Sequence, residues 1–132
     1  MYLLDTDTIG NLLKKSPSIQ LIQRLARTPV EEQFTSAITV GELAYGSFRR
    51  PDGGGLWKRI RDYLHPLQVL PFDYESSLTY GRVRAELEKK GIVLPEADLR
   101  IGAIALSRRM TVVTGNQRHF VRIPNLNVEN WL

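Results

Sequence analysis

The 132-residue chain is 42% hydrophobic and 24% charged, carries a formal net charge of +4 from 18 Lys+Arg against 14 Asp+Glu, and has no cysteine. That length suits one domain, able to bury roughly two-thirds of the surface its unfolded chain exposes; zero cysteine excludes a disulfide framework, a thiolate zinc site and a cysteine nucleophile. No apolar run approaches the ~18 residues of a membrane span, and the opening Met1-Tyr2-Leu3-Leu4-Asp5 lacks a basic signal-like start, so a cytoplasmic protein without membrane contact is expected.

Tyr2 to Leu4 is the first short apolar run and reads as a strand, with Asp5 directly after it. Ile9 to Lys15 and Ile19 to Arg27 carry helical patterns, with Ser16-Pro17 between them. Phe34 to Ile38 reads as a second strand, leading into a helix over Thr39 to Arg50 that places Val40, Leu43, Ala44 and Ser47 on one face. Pro51-Asp52-Gly53-Gly54-Gly55 is the one linker-like piece, a flexible surface loop by composition. Val69 to Phe72 reads as a third strand and Tyr74 to Lys90 as a helix capped by Asp73. Pro95 to Arg109 opens with proline and is apolar nearly all round, which predicts the most buried helix; Thr111 to Val113 is the last strand. Strands alternating with helices predict a three-layer α/β/α sandwich on a mainly parallel sheet, one domain over residues 1–132. Such sheets bind ligands where strands end and helices begin.

Four polar residues fall at those ends. Asp5 follows the first strand, Glu42 lies in the first turn of the helix after the second, Asp98 lies in the first turn of the buried helix, and Asn116 stands just past the last strand. Each has a local explanation: Asp5 or Asp7 as a helix cap, Thr39-x-x-Glu42 as a capping box, Asp98 at the positive end of its helix dipole, Asn116 as a turn residue. Local capping does not require all four elements to aim at one edge. Three carboxylates sharing a pocket repel by about 4 kcal/mol per close pair, so a cation or retained protons must accompany them. Oxygen donors without His or Cys favour Mg²⁺, or Mn²⁺ in its place, over Zn²⁺, and carboxylate-held hard cations suit phosphodiester cleavage. The surrounding chain is basic; Arg49 and Arg118 stand nearest the acidic edge and are the candidates for steering phosphates.

These residues carry a resemblance. Tyr2-Leu3-Leu4-Asp5-Thr6-Asp7, Ser36-Ala37-Ile38-Thr39-Val40-Gly41-Glu42-Leu43-Ala44-Tyr45-Gly46, Leu94-Pro95-Glu96-Ala97-Asp98-Leu99-Arg100-Ile101-Gly102-Ala103 and Val112-Val113-Thr114-Gly115-Asn116-Gln117-Arg118-His119-Phe120 resemble, in order, the four motifs of PIN-domain ribonucleases, particularly the VapC toxins of bacterial type II toxin–antitoxin pairs. The resemblance implies an α/β/α sandwich, a Mg²⁺-dependent endoribonuclease, a homodimer and inhibition by a cognate antitoxin. It implies that Asp5, Glu42 and Asp98 are the acidic active-site residues, with Asn116 at the fourth position; Asp5 and Asp98 are then expected to hold the Mg²⁺, directly or through water. Two positions depart from the pattern: Asp7 stands where such toxins commonly have Asn, and Asn116 stands at an acidic position of the wider family. An amide there can accept a hydrogen bond from a metal-bound water but cannot act as a base.

Two other readings fit parts of the pattern. Asp5-Thr6-Asp7 resembles the opening of haloacid-dehalogenase-like phosphatases, but Ile9 stands where Thr or Val is expected, and the later Lys and paired acids of that scheme are missing. A non-catalytic nucleic-acid-binding module with a degenerate pocket is the other. His119 reads as a surface or packing residue.

Overall fold

The computed structural model describes residues 1–132. Five strands, β1 (Tyr2–Leu4), β2 (Gln33–Ser36), β3 (Gln68–Leu70), β4 (Thr111–Val113) and β5 (Asn127–Glu129), form one sheet in the order β3-β2-β1-β4-β5, every neighbouring pair parallel. β1 is therefore central, and the chain moves to β2 on one side and β4 on the other. The strand ends gather on one edge, with the point where the order reverses at β1 and β4.

Successive strand residues point to opposite faces, and the two hydrophobic clusters follow that alternation. Leu3, Phe34 and Val112 face a layer built from α5 (Tyr74–Lys89) and α6 (Glu96–Ser107), where Val83, Leu87, Leu99, Ile101 and Ile104 are buried. Leu4 and Val113 face the opposite layer, built from α1 (Thr6–Leu12), α2 (Ile19–Arg27) and α4 (Gly53–Leu64), through Ile9, Leu21, Ile60 and Leu64. The three-layer sandwich is thus as expected, and α6 is the helix with the most buried residues. α3 (Ala37–Phe48) straddles the layers: Ile38 packs against the first cluster, Val40 and Leu43 against the second.

Several boundaries differ from the sequence reading. The second strand stops at Ser36, whose hydroxyl accepts from the Thr39 backbone N–H at 3.1 Å and caps α3, so Ala37 and Ile38 are helical. Glu42 consequently sits beyond the first turn, and the Thr39–Glu42 capping box does not form. Gly53-Gly54-Gly55 is the first turn of α4 rather than a flexible loop. Gly53 is buried against α3, where Ser47 Oγ donates to its carbonyl at 2.7 Å and an added Cβ would stand 2.5 Å from the Ser47 carbonyl oxygen. Packing of Ile60 and Leu64 outweighs the poor helix propensity of three glycines. The edge strand β5 and the short α7 (Gln117–Phe120) escaped notice because each is brief and mostly polar.

Candidate active site

Asp5 leaves β1 with extended backbone and caps α1, its Oδ1 accepting from the Thr8 N–H at 2.9 Å. Its own N–H donates to the Val113 carbonyl at 3.1 Å, and Thr8 Oγ1 donates to the same oxygen at 2.9 Å. The end of β1 is so fastened to the end of β4. Only 4% of Asp5 is exposed. Burial is the dominant influence and pushes its carboxyl up from the usual 3.8 to about 6, against the opposing influence of Thr114 and Thr8, with neighbouring Asp7 adding to the rise.

From Asp5 two routes lead outward. Thr6, the next residue, donates from Oγ1 to Glu42 Oε1 at 2.6 Å and lies 3.2 Å from Thr39 Oγ1. Glu42 is exposed, so its carboxylate is held at the surface by one charge-assisted bond. On the other side, buried Thr114 neighbours the Asp5 carboxyl and accepts from the Asn116 N–H at 2.9 Å. The Asn116 Nδ2 lies 2.8 Å from His119 Nδ1, and that nitrogen lies 2.7 Å from Asp98 Oδ2. With its proton on Nδ1 the ring donates to Asp98, the charge-assisted arrangement for an ionised carboxylate; that nitrogen then has no lone pair left, so the Asn116 amide is its neighbour and not its hydrogen-bond donor.

The four residues predicted from the sequence lie along the strand-end edge in two groups: Glu42 is held by Thr6, the residue after Asp5, and Asp98 is held by His119, whose ring nitrogen lies beside the Asn116 amide. The carboxylates do not close into a single cage: no three His, Asp or Glu side chains lie near enough together to hold a metal ion among themselves. Each acid instead takes a local donor, Thr8 for Asp5, Thr6 for Glu42, His119 for Asp98. That relieves the mutual repulsion expected of like charges. The local caps of Asp5 and Asp73 form as the sequence suggested; Asp73 Oδ1 accepts from the Ser76 N–H at 3.0 Å, and Arg108 pairs with its other oxygen at 2.8 Å.

A PIN domain family model matches residues 2–126. The chain belongs to the PIN-domain family. Ribonuclease VapC2 of Rickettsia felis is 32% identical to it over 133 residues, covering 99% of this chain and 98% of that protein. The tRNA(fMet)-specific endonuclease VapC of Salmonella typhimurium is 32% identical, covering 98% of this chain and 97% of the relative. Among solved structures, VapBC2 from Rickettsia felis bound to a DNA fragment from their promoter superposes with a TM-score of 0.90 at 29% identity, covering 99% and 98% of the two chains. This PIN domain accordingly sits among the VapC ribonucleases, and the phosphatase reading of Asp5-Thr6-Asp7 falls away.

Within the PIN domain, His119 is the residue that sequence reading missed. It is half-buried and packs on Asp98, a specific partner that the reading as a surface or packing residue did not supply. The available signal was Asn116-x-x-His119, a spacing that puts both side chains on one face once α7 forms. Arg118 is exposed beside it, whereas the Arg49 guanidinium lies 5.6 Å from the centre of the Tyr45 ring.

Proposed function

We propose that this chain is a Mg²⁺-dependent endoribonuclease, the toxin of a type II toxin–antitoxin pair, held in check by a cognate antitoxin and acting as a cytoplasmic homodimer of single-domain subunits. The observation that supports the activity is the placing of Asp5, Glu42, Asp98 and Asn116 at strand ends and helix starts along one sheet edge, with Glu42 held by Thr6 and Asp98 by His119. The names of its relatives supply the substrate class and the partner.

The donor set fits a hard cation that keeps much of its water and takes only one or two carboxylates, Mg²⁺ or Mn²⁺. A cation near Asp5 would also offset the cost of ionising a carboxyl that burial holds at about 6. Asp5 and Asp98 would hold the ion, which when bound supplies positive charge against the phosphoryl oxygens. Glu42, fixed by Thr6, takes the proton of the attacking water. The water oxygen bonds to phosphorus as the P–O3′ bond breaks, and the departing 3′ alkoxide takes a proton from solvent water, leaving a 3′-hydroxyl and a 5′-phosphate. Asn116 orients groups by hydrogen bonding and exchanges no proton. His119 keeps the Asp98 carboxylate aimed along the edge.

Asp98→Asn should abolish cleavage of single-stranded RNA in Mg²⁺ while the unfolding midpoint stays near that of the parent. Cleavage close to the parent rate removes Asp98 from the reaction. A second reading, a binding module without catalysis, draws on the lack of a three-ligand cage. It is met by titrating Mg²⁺ against thermal unfolding: a midpoint that rises with metal supports a shared ion site, and a flat response favours the module.

A further inference from the structure

Beside the acidic edge a groove of about 490 Å³ runs along α1, lined among others by Thr6, Asp7, Gly10, Lys14, Leu43 and Leu132. It shares Thr6 with the Glu42 contact, so it opens directly from the candidate active site. Asp7 and Lys14 are both exposed, and neither belongs to an ion pair, so both charges are free to meet a ligand. Asp7, Gly10 and Lys14 recur at three- and four-residue steps and share one stripe of α1 and the turn after it.

Gly10 has no role in packing. A Cβ built there meets nothing within 4 Å, although glycine weakens a helix interior relative to alanine. What its missing side chain provides is a low floor in the groove. A bare carboxylate at one end of that floor repels a phosphate and calls for a hydrogen-bond donor. A free ammonium at the other end calls for an anion. The apolar edges of Leu43 and Leu132 suit a sugar or a base between them.

From this arrangement we infer that the groove is a ribonucleotide subsite, in which Asp7 accepts the hydrogen bond of a ribose 2′-hydroxyl and Lys14 contacts the neighbouring phosphate. The 2′-hydroxyl is the group by which a protein tells RNA from DNA, and a carboxylate that reads ribose hydroxyls beside a phosphate site is the same pairing that dinucleotide-binding folds use. Lys14 contributes affinity without discrimination, as phosphate contacts do. The inference rests on the endoribonuclease reading and adds to it the way RNA is selected.

The test uses the full chain carrying Glu42→Gln, so that RNA stays intact, and follows fluorescence anisotropy of a labelled single-stranded RNA and the DNA of the same sequence. The parent should prefer RNA. Asp7→Ala should cut that preference about tenfold, the loss of one hydrogen bond to a charged group, while Asp7→Asn, which retains an acceptor oxygen, should keep most of it. Lys14→Gln should weaken RNA and DNA alike and lower the salt slope by about one contact. Gly10→Leu should weaken both while the unfolding midpoint holds or rises. A parent without preference, or an Asp7→Ala chain with the preference intact, overturns the inference. Cleavage is scored separately with Glu42 in place: a chain that cuts RNA but keeps its preference after Asp7→Ala sinks this subsite alone, whereas a chain that never cuts RNA sinks the reading beneath it.

Discussion

Asp5→Asn removes a buried charge while leaving an oxygen to accept from the Thr8 N–H and an amide to face Thr114. The Asp5 carboxyl is raised from the usual 3.8 to about 6, so the native chain holds this proton more tightly than the unfolded chain does. The stability associated with that proton is full below pH 3.8 and is lost as pH rises through about 6. Above that window the buried carboxylate costs the metal-free fold about 3 kcal/mol, at about 1.4 kcal/mol per tenfold change in ionisation. Relaxation around the site reduces the gain from Asp5→Asn to about 2 kcal/mol, equivalent to a rise of roughly 5–10 °C in midpoint for a domain of this size. Urea unfolding in EDTA at pH 4, 6 and 7.5 measures it. The parent should lose stability relative to Asp5→Asn as pH rises, and the two should converge at the acid end. Adding Mg²⁺ should narrow the gap at pH 7.5 by stabilising the parent alone. An Asp5→Asn chain that is less stable than the parent at pH 7.5 refutes the reasoning.

Other residues give sharper local tests. Thr6→Val is nearly isosteric and deletes the 2.6 Å bond to Glu42; a lost hydrogen bond to a charged group, worth about 1.5–3 kcal/mol, should lower kcat for RNA cleavage by roughly tenfold to a hundredfold, read against unchanged circular dichroism. Gly53→Ala forces a Cβ toward the Ser47 carbonyl and should destabilise by about 1–3 kcal/mol in urea titrations, although alanine is the better helix former. Asp73, whose carboxyl is held below its usual range first by the Ser76 N–H and less by Arg108, should keep its cap on α5 at pH 5 and surrender it as pH falls below 3.8. Asp73→Ala should flatten that acid limb of the unfolding profile.

The α/β/α class was legible because the residues just before Asp5 and Thr114 are short and apolar on both sides. A strand buried on two faces writes its signature into consecutive residues. Asp5 was legible for the same reason, since it stands one step past such a run. Ile38 misled the strand boundary, because an apolar residue does not reveal that Ser36 has already turned the backbone into a helix. α4 was hidden by its glycines, whose placement depends on the contact with Ser47, a feature of tertiary packing and not of local pattern. The partner of Asp98 was hidden for a related reason: His119 reaches it only after β4 and α7 have come round to the N-terminal turn of α6. Sequence spacing located the acids, but not the donors that each would find.

The junction of β1 with β4 ties the two ends of the sequence together. Thr8 and the Val113 carbonyl that it grips are 105 positions apart, so β1 finds one neighbour early, in β2, and the other only near the end of the chain. Until β4 joins, Asp5 has no Thr114 and Asp98 has no His119. A polypeptide that stops short of residue 111 therefore lacks both the central β1–β4 pairing and the His119 partner of Asp98, whatever helices it has formed.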